Sequence, residues 1–487
     1  MTNDMTIGNP SKILFYFAMP MVLGNIFQQF YTIIDSVVVG NFVGANALAA
    51  VGASYPITFV FITIANGASI GCAVVISQLF GAKYMGKMKT AIHTSLISIG
   101  IFSTILMILG LASSNAVLNL LKTPSDIFDD ANIFMKIYFM GVVFLFLYNI
   151  TNSAFNALGN SKTPLGFLIF STFLNIGLDL LFVIKFNMGV KGVAYATLIS
   201  QGMAAFLSLG YLLKEISKIK VEAYVRKDNI SFKDSKAKIN KLSKNKNHMK
   251  FNYEESKTLE EYKVKWFDFN ILKAMCKIAV PSIIQQSIVS VGNLFVQALV
   301  NGYGSIVIAG YAAATKIDSI TIMPMSNLSN AVSTFTAQNI GAKKEDRVKG
   351  GYKSALIMIG IFCACIAFIL FVYGENFIGM FVDSNSNQRV IDIGAEYLRV
   401  VSLFYFFMGL MVVTNGVLRG AGDIKAFLTS TLTNLSTRII FAYGLAFLIG
   451  QKAIWWAVPL GWIFASTVSI IRYKSGKWKN KKCIQHD

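Results

Sequence analysis

The sequence predicts an all-α polytopic membrane protein, with twelve transmembrane helices in two six-helix, pseudo-symmetric lobes around a central cavity. Three observations predict it. Hydrophobic residues make up 54% of the 487-residue chain and mean hydropathy is +0.57. That is more apolar surface than one water-soluble core can hide, so the bilayer has to act as solvent. Apolar blocks of about 20 residues or more, each long enough to span, recur about twelve times. Finally, the chain repeats itself. Ser77-Gln78-Leu79-Phe80-Gly81-Ala82-Lys83 returns as Ala337-Gln338-Asn339-Ile340-Gly341-Ala342-Lys343, and Gly44 and Ala49 return as Gly304 and Ala309.

The first half, residues 1–213, holds blocks near 13–43, 47–80, 88–112, 127–158, 162–184 and 189–213. Block one is too long for a signal h-region and no small-residue cleavage site follows it, so it is expected to be the first spanning helix. Residues 269–487 carry the second half, with blocks near 269–302, 305–340, 350–374, 387–420, 424–449 and 453–473, then a basic tail. Pro20 is echoed by Pro281, and Leu158-Gly159-Asn160-Ser161-Lys162 by Ala421-Gly422-Asp423-Ile424-Lys425. Six spans per half and coincident loops give both repeats the same orientation, related by an axis along the membrane normal. An alternating-access carrier has this arrangement.

A net charge of +20 would suit nucleic acid, but its placement points elsewhere. Lys83, Lys87 and Lys89 follow block two, Lys162 follows block four, Lys343, Lys344, Arg347 and Lys349 follow block eight, and Arg419 and Lys425 follow block ten. The connections after blocks one and seven carry no Lys or Arg. By the positive-inside rule both termini are cytoplasmic, with Lys185 and Lys191 against the trend. Residues 214–268, rich in Lys and Asn, fall on the same side and read as a basic linker that touches anionic headgroups; they lack the motifs of an RNA-binding module. Of the five cysteines (Cys72, Cys276, Cys363, Cys365, Cys483), most sit in apolar blocks as small hydrophobes, which suggests neither disulfides nor a metal centre.

Two acids stand alone in apolar surroundings, Asp35 in Ile33-Ile34-Asp35-Ser36-Val37 and Asp179 in Gly177-Leu178-Asp179-Leu180-Leu181. An ionisable group at membrane depth is costly and marks an ion or substrate path by default. Helical spacing puts Gln28, Tyr31, Thr32 and Asp35 on one stripe, pairs Asn175 with Asp179, and aligns Asn149, Asn152 and Asn156 in block four and Thr197 with Gln201 in block six. For the amides and hydroxyls, interhelical hydrogen bonding is an equal alternative. A carboxyl in such a place can be neutralised by a proton, by Na⁺ or by an organic cation, and competition for one charge is coupling. Pro20, inside the first helix, frees a carbonyl and serves as a hinge or a static kink. Gly67-Ala68-Ser69-Ile70-Gly71 fits a hydrolase elbow by pattern but lacks a strand and partners, and makes sense as a Gly-x-x-x-Gly packing contact. The C-terminal half offers Asp318 and Arg438 but no acid at the repeat positions of Asp35 or Asp179.

Together, Pro20, Gln28, Asp35-x-x-x-x-Gly40, Ala47-Leu48-Ala49-Ala50-Val51-Gly52, both Gln-x-x-Gly-Ala-Lys loops and Asn175-x-x-x-Asp179 resemble the prokaryotic multidrug and toxic compound extrusion (MATE) family over nearly the whole chain. The resemblance implies a V-shaped cavity between two six-helix lobes in the bacterial cytoplasmic membrane. It implies export of cationic or amphiphilic small molecules by H⁺ or Na⁺ antiport, with no cofactor, no enzymatic activity and no nucleic-acid partner, by a protein that works as a monomer among membrane lipids. It also implies a cation site at Asp35, Asp179 and Asn175, with Gln28, Tyr31, Asn152 and Thr197 as neighbours. The alternatives are a lipid-linked saccharide flippase of similar architecture, which would want several cavity arginines, and a membrane-embedded enzyme, for which no nucleophile or metal constellation is found.

Overall fold

A computed structural model of the chain describes residues 2–221, 223–225, 259–261, 263–380 and 388–481. The centre of the basic linker, His248, Cys483 and His486 lie outside these residues. The elements are α1 (Pro10–Val38), which runs on as a π-helical turn (Val39–Val43), α2 (Ala45–Gly81), α3 (Met85–Leu120), α4 (Ser125–Ala157), α5 (Lys162–Asp179), which runs on as a second π-helical turn (Leu180–Lys185), and α6 (Gly189–Lys218). Two three-residue strands, β1 (Ala223–Val225) and β2 (Leu259–Glu261), pair antiparallel at the two ends of the linker. Then follow α7 (Phe269–Asn301), α8 (Ser305–Gly341), α9 (Glu345–Gly379), α10 (Gln388–Ser402), α11 (Tyr405–Ala421), α12 (Ile424–Ile449) and α13 (Lys452–Lys474).

Local sequence sets the ends of these helices in the same way in each half. Asn9 caps α1, its side chain accepting from Ser11 N, with Pro10 at the first turn, while Asp268 caps α7 by accepting from the N–H groups of Asn270 and Ile271; each supplies an acceptor to an otherwise orphaned donor. Gly44 (φ 118°) and Gly304 (φ 90°) make the turns into α2 and α8, backbone angles that L side chains disfavour. Among the described residues, eleven helices are long and apolar enough to cross a bilayer. The twelfth span, read as one block over 387–420, is α10 and α11 bent by 54°. Its first part is held at the edge by ion pairs, Arg399 to Glu375 at 2.7 Å and Lys452 to Glu396 at 2.6 Å.

The lobes meet at the end of the bundle that carries the basic loops. There the repeated glutamines cross over reciprocally: Gln78 Nε2 donates to Gly420 O at 3.1 Å and Gln338 Nε2 to Ala157 O at 2.8 Å. Gly81 lies against the carbonyl of Gln338, and Gly341 against that of Gln78, so closely that neither has room for a β-carbon. Gly67 and Gly71, the Gly-x-x-x-Gly pair, abut Ile283 and Ala279 of α7, so this motif packs one lobe on the other. The peptide before α1 is threaded into the same seam. Met5 N donates to Gln338 Oε1 at 2.9 Å, Asn3 N to Leu158 O at 3.0 Å, Lys344 Nζ to Thr6 O at 2.8 Å and Arg347 Nη1 to Gly8 O at 2.8 Å. The peptide before α7 makes the mirror-image crossing onto α3, where Lys265 N and Asp268 N donate to Thr90 and Thr94 at 3.1 and 3.0 Å. Among the described residues the cross-lobe hydrogen bond farthest from this end is Gln29 Nε2 to Met323 Sδ at 3.9 Å.

One feature differs from the sequence reading. Arg419, counted there with the loop cations, is buried at the end of α11, where Nη2 donates to Asn330 Oδ1 at 2.7 Å and Nε to Ser333 Oγ at 3.3 Å. Pro20 is buried within α1, which continues as helix on both sides of it.

The seam also carries a pH-sensitive tie. Partial burial opposes the charge of Asp4, but hydrogen bonds from Lys83 and Thr6 outweigh it and hold its carboxyl below the usual aspartate value. A depressed carboxyl contributes stability above its unfolded value, and that contribution is lost as pH falls through the folded one. Labelling of a cysteine introduced at Ser77, buried in the seam, by a water-soluble maleimide should therefore be slow at neutral pH. It should accelerate several-fold in Gly81→Ala and Gly341→Ala, whose methyl groups force the backbones apart.

Candidate cation site in the N-terminal lobe

Asp35 stands in the last full turn of α1 and Asp179 is the last residue of α5, so each acid is followed by a π-helical turn. Such turns widen the helix and re-aim side chains, and they recur at functional sites. At the repeat-equivalent end of α7 the helix stays regular through Asn301. The two carboxyl groups come together within side-chain hydrogen-bonding reach. Asp179 is fully buried and Asp35 half-buried, and each keeps an Oδ1 buried without a hydrogen-bond partner among the described residues. Two carboxylates in contact repel unless a proton or a cation lies between them.

Asn175, one turn before Asp179 on the same face, fixes the second acid. With its amide turned to satisfy both ends, its nitrogen donates to Asp179 Oδ2 at 2.9 Å and its oxygen accepts from Thr197 N at 3.3 Å; the orientation is assigned from this network. Thr197 Oγ1 in turn shares a 3.2 Å hydrogen bond with Tyr31 Oη. Asp35, Tyr31, Asn175, Asp179 and Thr197 thus form one connected group drawn from α1, α5 and α6. Tyr138 of α4, absent from the sequence reading, joins its edge. It lines a narrow pocket with Thr197, Gly141 and Gln201, and its hydroxyl donates to Thr58 O at 3.2 Å. The apolar run Ile137-Tyr138-Phe139 gave no periodic polar signal that would have singled it out.

Two expected neighbours are elsewhere. Asn152 accepts from Asn156 at 3.0 Å on its own helix. It lies five residues from the basic end of α4, whereas Asp179 lies seventeen residues along α5 from the same end, a depth difference of roughly 18 Å at 1.5 Å per residue. The side chain of Gln28 is exposed, two turns before Asp35, and only its carbonyl is engaged, by Thr32 Oγ1 at 3.0 Å. Shared helical phase put these residues on the right stripes without giving their depth.

The C-terminal lobe holds a different polar group. Asp318 is buried and accepts from Tyr405 Oη at 2.8 Å and Tyr397 Oη at 3.4 Å. Arg438 reaches Asn293 Oδ1 and Tyr311 Oη, both at 3.3 Å.

The model of the family described as MatE matches residues 20–181 and 281–444, one stretch in each lobe. The chain belongs to the MatE family. It is 30% identical over 483 residues, 98% of both chains, to the probable multidrug resistance protein YpnP of Bacillus subtilis. It is 21% identical over 85% of its length, and 82% of the relative's, to the multidrug export protein MepA of Staphylococcus aureus. A solved structure described as an outward-facing conformation of a multidrug resistance MATE family transporter of the MOP superfamily superposes with a TM-score of 0.82 at 20% identity, over 99% of this chain and all of the other. This MatE-family chain is accordingly a multi-pass membrane transporter and not an enzyme.

Asn175→Ala leaves Asp179 Oδ2 buried without its donor, and should lower stability by about 1–3 kcal/mol. Asp35→Asn, which removes one charge from the acid contact and can donate to the other carboxyl, should cost less. Thermal unfolding of the purified protein in detergent checks both, and a larger loss for Asp35→Asn than for Asn175→Ala would contradict the shared-proton geometry.

Proposed function

We propose that the chain is a multidrug exporter that antiports cationic or amphiphilic compounds against H⁺ by alternating access, with Asp35 and Asp179 as the coupling pair. The observation that carries this reading is the contact of two carboxyl groups, one fully and one half buried, each with an oxygen left unpartnered among the described residues. Such a pair binds one positive charge strongly and two separate negative charges poorly. A proton entering the pair neutralises it, and a cationic substrate in the cleft loses the charge that attracts it. Return of the empty lobe to the other side then releases the proton. The positive-inside rule puts the basic end in the cytoplasm, so the closed seam of Gln78, Gln338 and the N-terminal peptide corresponds to a carrier open to the exterior.

The contact between the two acids favours H⁺: within hydrogen-bonding reach of each other they can share a proton, whereas hard cations look for several oxygens and the Asn175 amide adds one only when its oxygen, not its nitrogen, faces Asp179. The names of relatives such as YpnP and MepA support the substrate class.

Dye efflux from vesicles under separately imposed H⁺ and Na⁺ gradients tests the proposal. Efflux should follow the proton gradient alone, and Asp35→Asn or Asp179→Asn should reduce it to background while leaving inserted, monodisperse protein. Near-normal gradient-driven efflux by either variant overturns the assignment, and efflux driven by Na⁺ at matched pH overturns the choice of ion. Asp318→Asn should weaken efflux less than either, since tyrosine hydroxyls already satisfy that acid.

A further inference from the structure

The internal repeat allows the coupling site to be compared with its counterpart in the other lobe. Gly159 and Lys162 recur as Gly422 and Lys425, a spacing of 263, which sets Arg438 of α12 at the place of Asn175 in α5. The position that steers a carboxyl in one lobe therefore carries a guanidinium in the other. This guanidinium is loosely held. Of its five N–H donors, one goes to Asn293 and one to Tyr311, both neutral and both at 3.3 Å, and Nε has no partner among the described residues.

Asp318 is near enough to feel the charge, yet no ion pair joins the two among the described residues, and its oxygens are taken by Tyr405 and Tyr397. Arg438 is half-buried and Asn293 beside it is exposed, on the polar stripe of α7 that helical spacing shares with Gln286, Ser290 and Gln297. A cation held in low dielectric by two long neutral hydrogen bonds, with donors to spare and a route to the cleft, lacks its anion.

We propose that Arg438 anchors an oxyanion group, a carboxylate or phosphate, of amphiphilic substrates, so that the cleft accepts zwitterionic and anionic amphiphiles through its C-terminal lobe as well as cations through its N-terminal one. This rests on the reading of the cleft as the substrate site, and extends it to a substrate class that carboxylates alone would repel.

Equilibrium binding to purified protein in nanodiscs of neutral lipid, with no ion gradient, separates this from the coupling proposal. The probes are rhodamine B, a zwitterion with a free carboxylate, and its ethyl ester, a cation of nearly the same shape, followed by fluorescence anisotropy. Arg438→Gln should weaken rhodamine B by about tenfold or more, the scale of a lost charge-assisted hydrogen bond, and the ester by less than about twofold. Arg438→Lys, which keeps the charge balance with Asp318 but not the planar fork, should lower the acid-to-ester affinity ratio by a smaller factor. It serves if the glutamine variant fails to fold, which loss of ester binding would reveal. An acid-to-ester ratio unchanged in whichever variant folds overturns the proposal. Absence of binding of both probes to the wild-type protein instead overturns the substrate reading of the cleft. Phosphatidylglycerol in the nanodisc separates the two sources of the oxyanion: competition that lowers rhodamine B affinity in the wild type but not in Arg438→Gln identifies a lipid phosphate as an occupant, and no competition leaves the anchor to the amphiphile.

Discussion

A charge inside a bilayer costs several kcal/mol unless something neutralises it, and the two lobes of this transporter answer that constraint in opposite ways. In the N-terminal lobe two acids are brought together with no Lys or Arg paired to them among the described residues. The C-terminal lobe gives its acid two tyrosine hydroxyls and leaves a guanidinium with spare donors. The first arrangement calls for a positive charge between the acids, and the second satisfies its acid while leaving part of its guanidinium without a partner among the described residues.

Both arrangements depend on where the lobes touch. Their contact is concentrated at the basic end, where Gly81 and Gly341 let two backbones approach more closely than any side chain would allow and two glutamines exchange partners across the boundary. Each lobe's first helix is also tied to the other lobe's third-helix region by the peptide that precedes it, residues 3–9 in one case and 263–268 in the other. The glutamine bonds are buried, while the contacts of Lys344, Arg347 and Lys83 with the N-terminal peptide lie at the partly exposed rim, where water can replace them at lower cost. A seam of this kind can close firmly and still open, whereas a dry hydrophobic one of equal area would not.

The basic linker, residues 214–268, lies largely outside the described residues. Its last six residues, however, are structural: Lys265 and Asp268 dock on Thr90 and Thr94, and Trp266 stacks on His93 at 4.9 Å. The boundary between tether and lobe thus falls before residue 263.

What the sequence determined by itself was whatever is local or repeated. Apolar length located the spans because a bilayer demands about 20 residues per crossing. The recurrence of Gln-x-x-Gly-Ala-Lys revealed the two lobes, and the isolation of Asp35 and Asp179 marked the acids because membrane depth makes them expensive. Helical phase correctly paired Asn175 with Asp179. Only the tertiary structure decided depth and partnership. It brought Thr197 and Tyr31 to the acids, left Asn152 and Gln28 elsewhere, added Tyr138, moved Arg419 from a loop into the interior and set Arg438 apart from Asp318. Phase along one helix is fixed by 3.6 residues per turn, but how far that helix slides against its neighbours is set by packing among side chains distant in the chain, and no periodicity within a single segment encodes it.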